Sequence, residues 1–520
     1  MKLIVSTVTC FLLQSVSPFG VDRLSSRPSL SLKMSTMTIP SGSGMSSGVV
    51  SDELDVPDAI TLEHPLRVVV AGAGIGGLAL ANDLCKKAKE EGLPIQVTVL
   101  EQTSEFRRFG GPIQLASNAL EAMKTIDKDV YANIMEKFTF TGDKTNGIKD
   151  GKRTEWYAKF DLASPAERRN MPYTGVIDRS DLQQIQLNAL PAGTVRTGDK
   201  VVEYEKVKSK DGRSRLVKVR TKSGKEMYAD VLIGADGIWS EVRATMRGSA
   251  ARGEESGATY SGYTVYAGEL HYDSPDHGEV GYKVYIGPNQ YFVITDIGQG
   301  RYQWYAFLAR PPNSAETESK PNGSSAYLQG IFDGWSEEIH SILRVTKEEE
   351  IEQRDLYDRP PSVFQPWTDG HVALLGDGVH AMMPNLGQGG CQAIEDALVV
   401  SQELRRATKR SQLNDALRHY QTRRLIRSAA VQGLSRFASD IIIRGFDTPA
   451  KITRDASGKL VFENFNYAGI VTRMMQPILP LFFTVQFNFL YAGWKNEELI
   501  DVEAAAGFLL IGGLFLLALL

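Results

Sequence analysis

The sequence is poor in cysteine and has no long basic run. Only Cys10, Cys85 and Cys391 occur among 520 residues, which excludes a disulfide scaffold and is typical of a reducing compartment. The formal net charge of −4 gives no electrostatic reason to expect a nucleic-acid partner, and we predict no metal site. With 42% hydrophobic and 23% charged residues, the composition is that of an ordinary globular protein, long enough for two domains.

The first 50 residues predict a targeting segment. Met1–Lys2 gives a basic start to an apolar stretch that ends near Ser15–Ser17, is too short to span a bilayer and resembles a signal peptide. From residue 18 to residue 50 the chain is rich in serine and has Asp22 as its only acidic residue, as transit peptides do. Together they resemble the two-part plastid address of algae whose plastids lie inside extra membranes. The alternative is secretion followed by a disordered linker.

A strand, a glycine turn and a helix follow one another after Leu66. The apolar run Arg67–Val70 leads into three glycines with the spacing G-x-G-x-x-G, of which the second lets the backbone approach a pyrophosphate. A second strand, Gln96–Leu100, ends at Glu101, where a carboxylate accepts hydrogen bonds from an unphosphorylated adenosine ribose, as in FAD or NAD. The predicted binding residues here are Gly72, Ala73, Gly74, Ile75, Gly76, Gly77 and Glu101.

Two more strands end in glycine-containing turns. Val231–Ile233 runs into Gly234–Gly237, with Ser240 and Arg243 after it, and Val372–Leu375 runs into Gly376–Asp377. An Asp-Gly turn alone is commonplace. Beyond the third turn, four residues begin a helix whose N-terminus can stabilise the anion of a reduced flavin: Gly387, Gln388, Gly389 and Gly390.

The region from Tyr260 to Arg310 contains aromatic-rich extended segments joined by polar turns. This pattern predicts an antiparallel sheet in a second domain. One face of the sheet is a candidate wall for an apolar substrate. The alternative is that the aromatic side chains fill the interface with the first domain, since aromatic residues dominate buried area.

The three turns, in this order, resemble the fingerprints of the para-hydroxybenzoate hydroxylase class of FAD monooxygenases, and within it the branch that epoxidises carotenoids. The resemblance covers about Pro65 to Trp494 and is strongest from His380 to Asp396. It implies an α/β fold with a Rossmann-type FAD-binding domain, interleaved with a smaller antiparallel-sheet substrate domain and followed by a helical C-terminal region. The expected boundaries are 1–50 for targeting, 65–250 for the first part of the FAD-binding domain with inserted strands, 251–360 for the substrate domain, 361–440 for completion of the FAD-binding domain and a helix, and 441–520 for a helical, membrane-associating region.

The resemblance also implies roles for individual residues. Gln114 would face the flavin, Arg179 would contact FAD, Asp236 and Gly237 would serve the pyrophosphate region, and Asp377 would hold the ribityl hydroxyls. Without the family resemblance, the alternative interpretation is that Gln114 belongs to a solvated loop and that Arg179 forms an ion pair at the surface. We expect no catalytic side chain, because the flavin carries the chemistry. We also expect His380 and Cys391 to be structural, since the sequence shows no set of partner residues that would make His380 a base or Cys391 a nucleophile.

The implied activity is epoxidation of the ring double bond of a lipid-soluble carotenoid by O₂ through a flavin C4a-hydroperoxide. The implied conversion is zeaxanthin to antheraxanthin to violaxanthin, or diatoxanthin to diadinoxanthin. NADPH, with or without reduced ferredoxin, is the implied electron donor. Two alternatives stay open, which are hydroxylation of a small soluble aromatic acid and a non-catalytic membrane-associated flavoprotein.

The end of the chain predicts association with a membrane, which the resemblance makes the thylakoid of a plastid. Ala504–Leu520 is uninterrupted and apolar, at the lower limit of length for a span; a buried final helix is the alternative. Met474–Trp494 is apolar and aromatic but contains two prolines, which suits an interface-lying segment or a lid better than a span.

Overall fold

The computed structural model describes residues 56–106, 111–208, 215–444, 451–454, 460–463 and 479–492. The predicted targeting segment and the apolar stretch Ala504–Leu520 lie outside these residues. The strands are β1 (Leu66–Ala71), β2 (Ile95–Leu100), β3 (Ile113–Leu115), β4 (Thr139–Phe140), β5 (Thr145–Asp150), β6 (Trp156–Phe160), β7 (Gly175–Ile177), β8 (Val195–Arg196), β9 (Val201–Lys208), β10 (Arg215–Thr221), β11 (Glu226–Ala229), β12 (Val231–Gly234), β13 (Thr259–His271), β14 (Val280–Gly287), β15 (Gln290–Gly298), β16 (Arg301–Ala309), β17 (Glu352–Asp358), β18 (Thr368–Asp369), β19 (Val372–Leu374), β20 (Lys451–Arg454) and β21 (Leu460–Glu463).

Helices cover the sheets and connect them. They are α1 (Ile75–Glu91), α2 (Ser117–Ile126), α3 (Lys128–Glu136), α4 (Ala163–Glu167), α5 (Arg179–Asn188), α6 (Glu241–Arg247), α7 (Ser314–Thr317), α8 (Gly323–Ile331), α9 (Glu337–Val345), α10 (Asp377–His380), α11 (Gly389–Arg405), α12 (Leu413–Arg444) and α13 (Leu479–Ala492). Short 3₁₀ turns lie at Glu254–Ser256, Glu348–Glu350, Pro384–Leu386 and Arg410–Gln412.

A six-stranded sheet carries the three glycine-containing turns. Its order is β18-β19-β12-β1-β2-β8, and all neighbours are parallel except the edge pair β18–β19. The apolar run of β1 is continuous because both faces are covered. Val68 and Val70 pack in the cluster that contains the helices, whereas Val69 and Ala71 pack in the cluster of the antiparallel sheet β11-β10-β9. The turns after β1, β12 and β19 therefore meet at one edge, the carboxyl ends of the strands.

The second large sheet has seven strands. Its order is β17-β13-β16-β15-β14-β5-β6, and only β14 and β5 are parallel. One face packs on α8 and α9 through Phe292 and Trp304. The opposite face is aromatic and packs on Met383 and Phe483. The predicted fold class is thus confirmed, although β5 and β6 come from the range 65–250 that was assigned to the FAD-binding domain.

The C-terminal part begins with α12, which continues to Arg444, and the hairpin β20–β21 follows it in the range predicted to be helical. The last described helix, α13, packs against the fold: Leu490 and Tyr491 are buried, and Phe483 meets Phe160 edge to face with ring centroids 4.3 Å apart. Within the ranges given above, no helix combines the length and the apolar character needed to cross a membrane.

Candidate cofactor site

The turn between β1 and α1 has the geometry of a phosphate cradle. Gly72 has φ +103°, and a Cβ at this position would lie 2.5 Å from the carbonyl oxygen of Ala235. A Cβ on Gly77 would lie 2.1 Å from the Gly72 carbonyl oxygen, so helix and strand pack too closely for any side chain. A Cβ on Gly74, the N-cap of α1, would meet no atom within 4 Å. The backbone is therefore open at the helix N-terminus, where unpaired N–H groups and the helix dipole favour an anion.

Glu101 is fixed against this turn by two backbone amides. Its Oε2 accepts a hydrogen bond from Ala73 N at 2.8 Å, and its Oε1 accepts one from Thr103 N at 2.8 Å. Each carboxylate oxygen has further lone-pair capacity. Glu101 is half-buried, so the carboxylate is held at the end of β2 and remains accessible to a ribose hydroxyl.

The turn after β12 adjoins the first turn through the contact of Ala235 with Gly72. The Oδ2 of Asp236 accepts hydrogen bonds from Glu241 N at 2.8 Å and Val242 N at 3.2 Å, at the start of α6. Its Oδ1 is buried and has no hydrogen-bond partner among the described residues, and burial raises the pKa of this carboxyl. Gly237 has φ +80° and open space at its Cβ position. A polar ligand in the open space beside Gly237 could donate the hydrogen bond that Asp236 Oδ1 lacks.

Asp377 stands at the start of α10, directly after Gly376, which has φ +60°. Its carboxylate is exposed and accepts no hydrogen bond from the described residues. Surrounding protein nevertheless raises the pKa of Asp377 by desolvation, and the charges of His380, Arg179 and Arg359 oppose this rise. Solvent access combined with desolvation is the environment of a cleft wall. Arg179 is exposed at the start of α5, and it is near enough to Asp377 for its charge to act on that carboxylate.

The start of α11 faces Asp377. A Cβ on Gly389 would lie 4.0 Å from Asp377 Oδ1, and a Cβ on Gly390 would clash with Ile113 Cδ1 at 2.8 Å. Gly387 has φ +61°, and the amide of Gln114 packs against it, 2.7 Å from the Cβ position. The side chain of Gln388 points elsewhere, because its Oε1 accepts a hydrogen bond from Asn118 Nδ2 at 3.1 Å. The structure thus places the four residues predicted to begin a helix beyond the third turn at the N-terminus of α11, which is 17 residues long.

A buried polar network below α11 was missed at the sequence level. The sequence did not reveal the partner of His380, which is Asp396: His380 Nε2 lies 2.6 Å from Asp396 Oδ2, and both side chains are buried, in keeping with a structural role. That same oxygen accepts from Gly376 N at 3.0 Å, and Asp396 Oδ1 accepts from Arg424 Nε at 2.7 Å. The network therefore fixes the backbone directly before Asp377. The Glu395–Asp396 pair in the sequence was a signal, because two acidic residues inside an apolar helix need buried cationic partners.

Glu395 is the second anchor of the network. Its Oε1 accepts from Asn118 Nδ2 at 2.6 Å, and Arg427 Nε donates to its Oε2 at 2.8 Å. Burial alone would raise the pKa of Glu395, but the charges of Arg427 and Arg424 lower it to about 2. The carboxylate is therefore ionised and serves to hold α2, α11 and α12 together. It is not available as a general acid at neutral pH.

Cys391 is structural, as expected. It is fully buried on α11, and its Sγ accepts a hydrogen bond from Ala116 N at 3.4 Å. Burial raises the pKa of this thiol to about 12, so the nucleophilic thiolate is scarce at neutral pH. Within the part of the chain that the structure describes, no group of histidine, cysteine, aspartate and glutamate could hold a metal ion.

The polar groups of these turns suit a dinucleotide that carries a flavin. The open backbone at Gly74 and Gly237 suits phosphates, Glu101 suits a ribose hydroxyl, the accessible carboxylate of Asp377 suits a polyol, and the α11 N-terminus suits an electron-rich ring. Solved structures share the fold. The chain is similar to a salicylate hydroxylase in a substrate complex, with a TM-score of 0.63 and 21% identity over 86% of this chain and 98% of that chain. It is also similar to Klebsiella pneumoniae HpxO complexed with FAD and uric acid, with a TM-score of 0.61 and 24% identity over 72% and 88% of the two chains.

The chain therefore shares its architecture with these two solved structures. The chain belongs to the FAD binding domain family, whose sequence profile matches residues 65–435. It is 39% identical over 407 residues to a chloroplastic zeaxanthin epoxidase of an Oncidium hybrid cultivar, covering 76% of this chain and 58% of that one. It is 42% identical over 389 residues to the chloroplastic zeaxanthin epoxidase of Solanum lycopersicum, covering 72% and 55%. The predicted resemblance is thereby confirmed. The chain spans little more than half the length of these relatives.

Proposed function

We propose that this protein is an FAD-dependent monooxygenase that epoxidises the ring double bond of a carotenoid such as zeaxanthin or diatoxanthin. The observation that carries the proposal is the position of the aromatic face of the seven-stranded sheet. Tyr291 and Phe307 stack there with ring centroids 4.3 Å apart. Tyr291 Oη also donates a hydrogen bond to Asn385 Oδ1 at 2.8 Å, directly before the loop that starts α11. These rings are buried against Met383 and Phe483, and they form an apolar aromatic wall near the start of α11, beside which the cyclic end group of a hydrocarbon substrate would bind.

The chain's own residues would bind and orient the cofactor. Gly74 and Gly237 would admit the pyrophosphate, Glu101 would accept from the ribose, and Asp377 would accept from the ribityl hydroxyls. The N–H groups at the start of α11 favour negative charge on a reduced ring. Bound FAD would supply the activation of O₂ that no amino-acid side chain provides. The buried aromatic cluster would keep water away from the reacting atoms.

The electron donor and the location follow from the same assignment. NADPH, with or without reduced ferredoxin, is the proposed reductant. The plastid is the proposed compartment, because the similar proteins are chloroplastic, the first 50 residues have transit-like composition, and the chain has only three cysteines. A carotenoid is dissolved in lipid, so we also propose contact with the thylakoid membrane. The apolar stretch Ala504–Leu520 is the candidate for this contact.

The test is turnover of the FAD-loaded protein in thylakoid-lipid micelles with zeaxanthin or diatoxanthin, O₂, NADPH and a ferredoxin-reducing system. Chromatography should show products that are one and then two oxygen atoms heavier for zeaxanthin, and none without O₂. Flavin reduction with H₂O₂ release and unchanged pigment would overturn the carotenoid assignment and favour hydroxylation of a soluble aromatic acid. A flavin that no donor reduces would indicate a non-catalytic flavoprotein.

A further inference from the structure

A polar cavity adjoins the candidate cofactor site. Its volume is about 120 Å³, and its wall includes Arg243, Arg359, Gln365, His380 and Gln432. A single water molecule needs roughly 10–15 Å³ of such space, so the cavity has room for a polyatomic group. None of these residues was assigned to FAD above.

The two arginines of this wall form no ion pair with the described residues, although the charge of Asp377 acts on Arg359 from a distance. Arg243 and Arg359 are 7% and 3% exposed. Arg243 donates to Gln365 Oε1 at 3.1 Å and to Gly378 O at 3.4 Å, whereas Arg359 donates to Ile238 O at 2.6 Å and to Ser256 O. Neutral oxygens do not compensate two buried charges. Burial and the charges of Arg359 and Arg247 lower the pKa of Arg243 to about 9.

Two buried nitrogen atoms at the cavity have no hydrogen-bond partner in the described chain. They are Nε of Arg359 and Nδ1 of His380. The His380 ring is 2% exposed and is already held through Nε2 by Asp396. A buried nitrogen left without a partner costs free energy, and a hydrogen-bonding ligand would remove that cost.

We propose that this cavity binds a small tetrahedral oxyanion of the phosphate or sulfate type between Arg243 and Arg359. Guanidinium groups bind such anions through two parallel N–H donors, with charge-assisted hydrogen bonds. The wall contributes two cations and no carboxylate, which excludes a metal cation by charge. His380 and Gln432 close the site with further polar groups. The volume of about 120 Å³ admits such an anion together with bound water.

The experiment is a thermal unfolding titration of the FAD-loaded full chain with phosphate and with sulfate, at an ionic strength held constant with chloride. We expect a saturable rise in Tm with either oxyanion and none with chloride. Flavin absorbance is followed in the same samples, because an unchanged spectrum excludes action at the FAD pyrophosphate site. Isothermal titration calorimetry should give one phosphate site per chain.

Gln365→Glu tests the location of the anion. Gln365 is exposed at the rim, and its Oε1 already accepts from Arg243, so a carboxylate there would neutralise the cation in place. We expect a higher Tm without phosphate and a phosphate response at least tenfold weaker. Gln402→Glu is the matched control, since Gln402 Oε1 accepts from Arg423 at 3.0 Å away from the cavity. No saturable response in the unmodified protein, or equal responses in both variants, would overturn the proposal.

Discussion

Arg427 binds Glu395 through two parallel hydrogen bonds, Nε to Oε2 and Nη2 to Oε1, each 2.8 Å long. The same guanidinium also donates to the carbonyl oxygens of Phe489 at 3.1 Å and Leu490 at 2.7 Å. One side chain of α12 therefore joins α11 to the C-terminal helix α13. Both members of the ion pair are buried, so removing either side chain should greatly lower the stability of the fold.

The first prediction concerns this junction. Arg427→Met should lower the free energy of unfolding by about 3 kcal/mol or more, because Glu395 loses one of its two arginine partners and two helix carbonyls lose a donor in a buried site. Chemical denaturation measures the loss, and limited proteolysis should show earlier cleavage around α13. Arg418→Met, on an exposed position of the same helix, is the control and should change stability by no more than about 0.5 kcal/mol. If the double variant with Glu395→Gln is no more stable than Arg427→Met, the charge left on Glu395 is not the cause.

The second prediction separates two glycines of one motif. Gly74→Ala should fold with unchanged stability, since φ is −72° and the Cβ meets no atom within 4 Å, but it should weaken FAD binding at least tenfold by occupying the cradle. Gly77→Ala should unfold or lose several kcal/mol, because its Cβ would lie 2.1 Å from a backbone oxygen. Circular dichroism and flavin fluorescence titration distinguish the outcomes. Equal FAD affinity for Gly74→Ala and the unmodified protein would contradict the assigned cradle.

The third prediction addresses Glu101. Glu101→Gln should weaken FAD binding by roughly 1–3 kcal/mol, the worth of hydrogen bonds to a charged acceptor, with a smaller loss of stability because Ala73 N keeps an oxygen acceptor. Glu226→Gln, which removes an exposed partner of Lys218, is the matched control. Calorimetric titration of the apoprotein with FAD provides the affinities. A loss of similar size in both variants would show that net charge, and not the ribose contact, sets the affinity.

The fourth prediction is a pH dependence. Asp83 is fully buried on α1, and burial raises its pKa from 3.8 to about 6 against the opposing charge of Arg405. The folded state therefore favours the protonated form, so this group's contribution to stability is complete below about pH 4 and is lost as the pH rises to about 6. At neutral pH, Asp83→Asn should be more stable by up to about 3 kcal/mol.

Urea unfolding of both proteins at several pH values checks this prediction. The difference between Asp83→Asn and the unmodified protein should grow from about pH 4 to about pH 6 and then stay constant. A difference that does not change with pH would show that Asp83 ionises in the fold as easily as it does in the unfolded chain.

The sequence by itself determined the parts that depend on short-range pattern. The glycine spacing after β1, the apolar run before each turn and Glu101 at the end of β2 predicted a dinucleotide site, because turn chemistry and strand burial are local properties of the chain. The aromatic strands from Tyr260 to Arg310 likewise predicted the antiparallel sheet. Family resemblance supplied FAD and the carotenoid, which no local pattern contains.

Only the tertiary structure decided the long-range pairings. β5 and β6 join the seven-stranded sheet across more than 100 residues of chain, and His380 meets Asp396 because the loop between them folds back. Arg424 and Arg427 on α12 form ion pairs with residues of α11. Arg243 on α6 lies close to Arg359, which follows β17. Such contacts arise from packing of elements that are distant in the sequence, and their energies depend on desolvation in the assembled core.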